Sequence, residues 1–154
     1  MKKMELHPNK KLVLKNVILK EIRDSPLHDW DLRIDEFHQF LDKQRPQTFG
    51  PVVIATLGSR IEGDQLTQNY DLMVQAHDYK KFGFTNKIAE RFERSNCVYL
   101  RFEGHPDDMA FANSKLDLYF YENELTSDGS EYSIVLEETE NHTVIDFFRP
   151  VKAT

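Results

Sequence analysis

The sequence predicts an α+β fold: two pseudo-symmetric β-α-β-β repeats forming one antiparallel-rich sheet, with two helices on one face and a furrow between them. Three observations predict it. Several short stretches are rich in β-branched and apolar residues bounded by turn residues, as strands are. Two longer stretches place apolar residues three and four apart, the spacing of one helix face. These elements follow one another as strand, helix, strand, strand, and then repeat that order. Two helices cannot cover such a sheet completely, and a strip left between them is a natural ligand site.

The elements run in order. "KLVLKNVILKEI" (Lys11 to Ile22) is β-branched and apolar and predicts a strand, which "DSPLHD" and Pro26 end. In "DWDLRIDEFHQFLDKQR" the residues Trp30, Ile34, Phe37 and Leu41 share a helix face. Acidic residues crowd its start and Lys43 and Arg45 its end, as the helix dipole favours, and Pro46 stops it. Strands are predicted over Pro51 to Ile61 and Tyr70 to Asp78, with "EGDQLTQN" between them as a loop. "YKKFGFTNKIAERFERSN" is a connection with a helical turn near Lys87 to Phe92. "CVYLRFEG" is a strand ending in Gly104. The second helix spans His105 to Leu125, with Pro106 in its first position and Met109, Ala112, Leu116 and Phe120 as its apolar stripe. Strands over Tyr132 to Thr139 and Thr143 to Arg149 follow.

The chain has 154 residues, the size of one domain, here 1–154 with pseudo-repeats 11–78 and 92–151. A formal net charge of -6 argues against a nucleic-acid-binding face and fits a cytoplasmic protein. With one cysteine, Cys97, an intrachain disulfide is impossible, and its alternating apolar surroundings read as core. No apolar run reaches the ~18 residues of a membrane span, and "MKKMELHPNKK" has no apolar region after its charges, so neither a membrane anchor nor a signal peptide is expected. The histidines are scattered without helical metal spacing, and no Gly-rich phosphate loop or nucleophile elbow is present. No metal or cofactor is therefore expected.

The stretch "YSIVLEETENHTVIDFFRPV" carries the functional question. Glu137 and Glu138 are neighbours on a predicted strand, so they point to opposite faces, and one is expected to face a covered side. An unpaired carboxylate there costs several kcal/mol. The residues alone favour an exposed Glu beside a neighbouring cation, and leave open a counter-charge for a cationic ligand held by aromatic rings. Candidate rings are Trp30 at the start of the first helix, Tyr70 at a strand start, and Tyr119 or Tyr121 beside a core Phe120. Phe147 and Phe148 face opposite ways, so one of them faces the furrow in either register.

The twice-repeated order resembles that of the GyrI-like (gyrase-inhibitor-like) effector-binding domains, which also form the ligand-sensing half of multidrug-responsive bacterial transcription activators. "VYLRFEGHPDDM" is similar to the family's strand that ends in Gly and enters a helix. "NELTSDGSEYSIVLEET" is similar to its helix end, polar turn and Glu-bearing strand. "VIDFFRPV" resembles its closing strand, and "TFGPVVIATL" its Gly-Pro opening of a strand. The resemblance covers residues 11 to 151. It implies binding of a small lipophilic, cationic molecule between the repeats, with Glu137 as the acid and Glu138 as its alternate. Thr139 stands where the family often has an aromatic, and a tryptophan common near the end of the second helix is missing.

Three functions are open on this reading. The first is a stand-alone effector-binding domain without direct nucleic-acid binding, acting by sequestration or through a partner regulator. The second is a small-molecule hydrolase using the same Glu as general base. The third is a topoisomerase-binding inhibitor. An exposed sheet edge would also permit a homodimer.

Overall fold

Strand pairing organises the chain. The computed structural model describes residues 2–153. Among them are six strands and two α-helices: β1 (Leu6–Pro26), α1 (Trp30–Gln44), β2 (Val53–Glu62), β3 (Gln65–Gln75), β4 (Lys87–Gly104), α2 (Ala110–Glu122), β5 (Glu131–Glu138) and β6 (Thr143–Pro150). The α+β class, the antiparallel strands and the order of elements are those the sequence predicts. Short 3-10 turns precede both helices, at Leu27–Asp29 and Pro106–Asp108. Among the described residues no helix is long and apolar enough to cross a membrane.

The residues form two compact units, one of Leu14–Phe92 and one of the residues up to Val13 together with those from Glu93 onward. In the first, β3 is the middle strand, antiparallel to β1 from Val17↔Gln75 and to β2 from Val53↔Met73. Its even-numbered residues Tyr70, Leu72 and Val74 therefore share a face with Ile18 and Ile22 of β1. Helix α1 covers that face with buried Phe37 and with half-buried Trp30, Ile34, Phe40 and Leu41. Arg45 ends the helix in the left-handed conformation, its N–H bonded to the Leu41 carbonyl at 3.0 Å.

In the second unit, β6 is the middle strand, antiparallel to β4 from Cys97↔Pro150 to Gly104↔Thr143 and to β5. Val98, Leu100, Phe102, Ile145 and Phe147 lie under Ala112, Leu116 and Phe120 of α2, with Met109 packed against them. The predicted stripe of this helix is thus its buried face. His105 caps the turn before it, its Nδ1 accepting from the Asp107 N–H at 3.1 Å. Cys97 is fully buried, as predicted, and burial pushes its thiol pKa up.

Three predicted elements are corrected. "EGDQLTQN" is not a loop but the end of β2, a two-residue turn and the start of β3, with Glu62 paired to Gln65. Gly63, at φ 62°, supplies the positive angle that a glycine-first hairpin turn needs. Tyr70 accordingly lies mid-strand, not at a strand start. Lys87 to Phe92 is the beginning of β4, not a helical turn. There the Lys87 ammonium pairs with Glu21 of β1 at 2.6 Å, and tertiary context overrides local propensity.

The α2 stripe gives a direct test. Leu116→Ala removes a side chain with 0% exposure and is expected to cost about 2–5 kcal/mol in urea unfolding. Leu118→Ala, at a position 55% exposed on the same helix, is expected to stay within about 0.5 kcal/mol of wild type. Equal costs would show that α2 does not pack through this stripe.

Candidate ligand-binding cleft

In the Leu14–Phe92 unit, α1 does not close fully on its sheet. Phe37 and Phe40, three apart on the helix, stack with centroids 5.8 Å apart. A 3-10 turn, Tyr79–Phe82, brings Phe82 edge-on to Phe40 at 5.7 Å and 81°. Gly83 follows because the chain passes close to Ile88: a Cβ here would come 3.1 Å from its Cδ1. Phe84, the next residue, is wholly exposed.

These rings surround two adjoining cavities. One of about 130 Å³ is lined by Ile22, Phe37 and Phe40 with Lys20, Arg33 and Glu36. The other, of about 620 Å³, shares Phe40 and Thr85 with it and adds Phe82, Phe84, Arg45 and Asp78. Their carboxylates are already engaged. Both Glu36 oxygens accept from Arg33 Nη1, at 3.1 and 3.2 Å. Asp78 Oδ1 accepts from the Gln47 N–H at 2.8 Å, and its other oxygen lies 3.9 Å from Lys81 Nζ.

Two of the sequence-predicted rings come together in this unit. Trp30 and Tyr70 meet with centroids 4.6 Å apart. The Tyr70 hydroxyl is buried without a hydrogen-bond partner, as are Ser25 Oγ and Gln68 Oε1, and β1 pairs Ser25 with Gln68. Burial raises the Tyr70 pKa. The Ser25 hydroxyl opposes the shift without reaching hydrogen-bond geometry, and the charges of Arg33, Asp29 and Glu36 act weakly. Buried polar atoms without partners are uncommon and expensive.

The remaining predicted residues lie in the other unit. Glu137 and Glu138 are both exposed, which corrects the expectation of a carboxylate on a covered side. The physical reason is a bulge: the register shifts between Val135 and Glu137, which disrupts the alternation of β5 where the strand runs out into solvent. Glu137 instead lies 3.5 Å from His142 Nδ1, whose Nε2 is 3.5 Å from Glu103. Thr139 closes the β5–β6 turn, its hydroxyl donating to the His142 carbonyl at 2.9 Å. Phe147 is core and Phe148 turns to the other face against Tyr99, at 5.0 Å. Tyr119 is half-buried against the α2 core, while Tyr121 is 82% exposed.

The covered carboxylate of that unit is Asp146, which sequence reasoning missed. Arg101 donates to it through Nε and Nη2 at 2.7 and 3.0 Å, and the Tyr99 hydroxyl donates to Oδ1 at 2.7 Å. The signal was present: an Asp flanked by apolar residues in "VIDFF", opposite alternating Tyr and Arg in "VYLRF". Phe40, Phe82 and Phe84 were also missed as a group, because α1 and the Tyr79–Phe84 segment are distant in sequence.

No family model matches the sequence, and no curated protein does. Solved structures do share its fold. The C-terminal domain of EcmrR matches with 13% identity and a TM-score of 0.63, over 99% of this chain and 98% of its own. EcmrR has also been solved in a DNA complex, where the match covers 58% of its chain. A hydrolase from Listeria innocua matches at 11% identity and a TM-score of 0.57, over 97% of this chain and 92% of its own. SAV2435, in a structure bound to tetraphenylphosphonium, matches at 10% identity and 0.52, over 99% and 95%. The chain therefore has the fold of the EcmrR C-terminal domain, a fold that a protein described as a hydrolase also shares.

The Tyr99 phenol gives a pH test. Burial, reinforced by Asp146, pushes its pKa from 10.0 to about 12. Its contribution to stability is complete below the unfolded value and is lost as pH rises through the folded one. Between pH 10 and 12, wild type is expected to lose urea stability more steeply than Tyr99→Phe. Parallel slopes would show that Tyr99 does not hold its proton in the fold.

Proposed function

We propose that this chain is an effector-binding domain, related to the GyrI-like domains, that holds a small lipophilic molecule in the Phe-lined cleft of the Leu14–Phe92 unit. The carrying observation is Phe84: a whole ring left in water, beside Phe40 and Phe82, at the mouth of a cavity of about 620 Å³. A concavity walled by several aromatic rings is where small apolar ligands bind, and Phe84 adds a third ring to Phe40 and Phe82 there. The fold likeness to a domain of EcmrR, a protein also solved on DNA, supports a role beside a DNA-binding partner or domain. The likeness to a protein seen with tetraphenylphosphonium supports a bulky aromatic ligand. Trp30 opens the same helix and packs on Tyr70 of β3, outside the lining of the two cavities. Glu137, Glu138, Thr139, Tyr119, Tyr121, Phe147 and Phe148 have no role in this cleft. A hydrolytic reading has no free buried carboxylate in the cleft to serve as base, since Glu36 and Asp78 are both engaged.

The test is a fluorescence titration with Nile red, a neutral lipophilic dye. Phe84→Ala is expected to weaken binding roughly fivefold, the loss of one aromatic wall. It leaves the core intact, because the ring touches none of it. Tyr121→Ala, which removes an exposed ring from the other unit, is expected to change nothing. If Phe84→Ala binds like wild type, the cleft is not the site.

A further inference from the structure

We infer that the cleft selects lipophilic anions, such as hydrophobic carboxylates, over lipophilic cations. This rests on the cleft being the ligand site and names the class of ligand it takes.

The charges lining the cleft favour an anion. Over the whole chain, 26 acidic residues outnumber 20 basic ones. The two cavities invert that balance. Lys20, Arg33, Arg45 and Lys81 line them against Glu36 and Asp78. Glu36 is bound at both oxygens by Arg33, and Asp78 by the Gln47 N–H and Lys81. Subtracting these pairs leaves Lys20 and Arg45, neither of which has an ion-pair partner among the described residues. Lys20 also borders a third cavity, of about 310 Å³, with Phe84, Thr85 and the mutually paired Glu21 and Lys87. An uncommitted ammonium thus stands beside the exposed ring. An entering cation would meet unpaired positive charge and no free acid. An entering anion would find a partner for its charge where aromatic walls take its apolar part.

The test uses two probes of the same shape and opposite charge, tetraphenylborate and tetraphenylphosphonium, titrated calorimetrically into the full chain. Tetraphenylborate is expected to bind at least about tenfold more tightly, with the gap narrowing as salt is raised. General attraction to the protein cannot produce that order, because its net charge of -6 favours the cation. Lys20→Gln is expected to reduce the preference about threefold, and Lys20→Arg to retain it. The Lys20 side chain is exposed, so both variants keep the fold.

If tetraphenylphosphonium binds as tightly as tetraphenylborate, or more tightly, the inference about ligand class fails. The cleft itself still stands in that case, provided Phe84→Ala weakens the binding. If neither probe binds, or if Phe84→Ala leaves both unaffected, the cleft reading fails and the anion inference with it. A tetraphenylborate preference that Lys20→Gln and Arg45→Gln together leave unchanged also overturns the inference, because the selectivity would then arise outside the cleft.

Discussion

The double pairing of β3 is the constraint on which its unit depends. Held on one side by β1 and on the other by β2, β3 cannot slip by one residue without turning its whole apolar set to the wrong face. That fixed register keeps Tyr70, Leu72 and Val74 under α1, and so decides where the helix can lie. α1 buries only Phe37 completely. Phe40, also on α1, meets Phe82 of the Tyr79–Phe84 segment, and the space beside these rings is the cleft. The site follows from a helix laid over a sheet of fixed register.

The buried polar groups around Asp146 and around Tyr70 are met in opposite ways. Asp146 is half of a closed network, with Arg101 and Tyr99 meeting both of its oxygens. Such a network holds neighbouring strands β4 and β6 in one arrangement and leaves no charge to offer. Around Tyr70, three buried polar atoms have no partners. Arg149 joins Asp117 of α2 to Glu131 of β5 and ties helix to sheet, whereas Lys20 and Arg45 beside the cleft tie down nothing.

The element order and both apolar stripes were legible in the sequence, because each depends on spacing within one segment. Phe37 in α1 and Ala112, Leu116 and Phe120 in α2 could be placed from periodicity alone. What failed depended on pairing. The hairpin at Gly63 reads as a polar loop until Glu62 is seen opposite Gln65. Lys87 to Phe92 reads as a helical turn until Glu21 is found beside Lys87. The Glu137–Glu138 argument assumed unbroken alternation, and a single bulge undid it. The cleft was illegible for a related reason. Phe40 and Phe82 are brought together only by the tertiary fold, and no local pattern announces a contact between them.

Phe84 has a thermodynamic consequence. A fully hydrated phenyl ring orders its surrounding water in a temperature-dependent way, and fully covering such a side chain is worth roughly 1.5–3 kcal/mol. Whatever covers it must therefore bind with a negative heat-capacity change, and its enthalpy of binding will grow more favourable on warming. The ring acts as a built-in calorimetric marker: occupancy of the mouth of the cleft is written in the curvature of affinity against temperature.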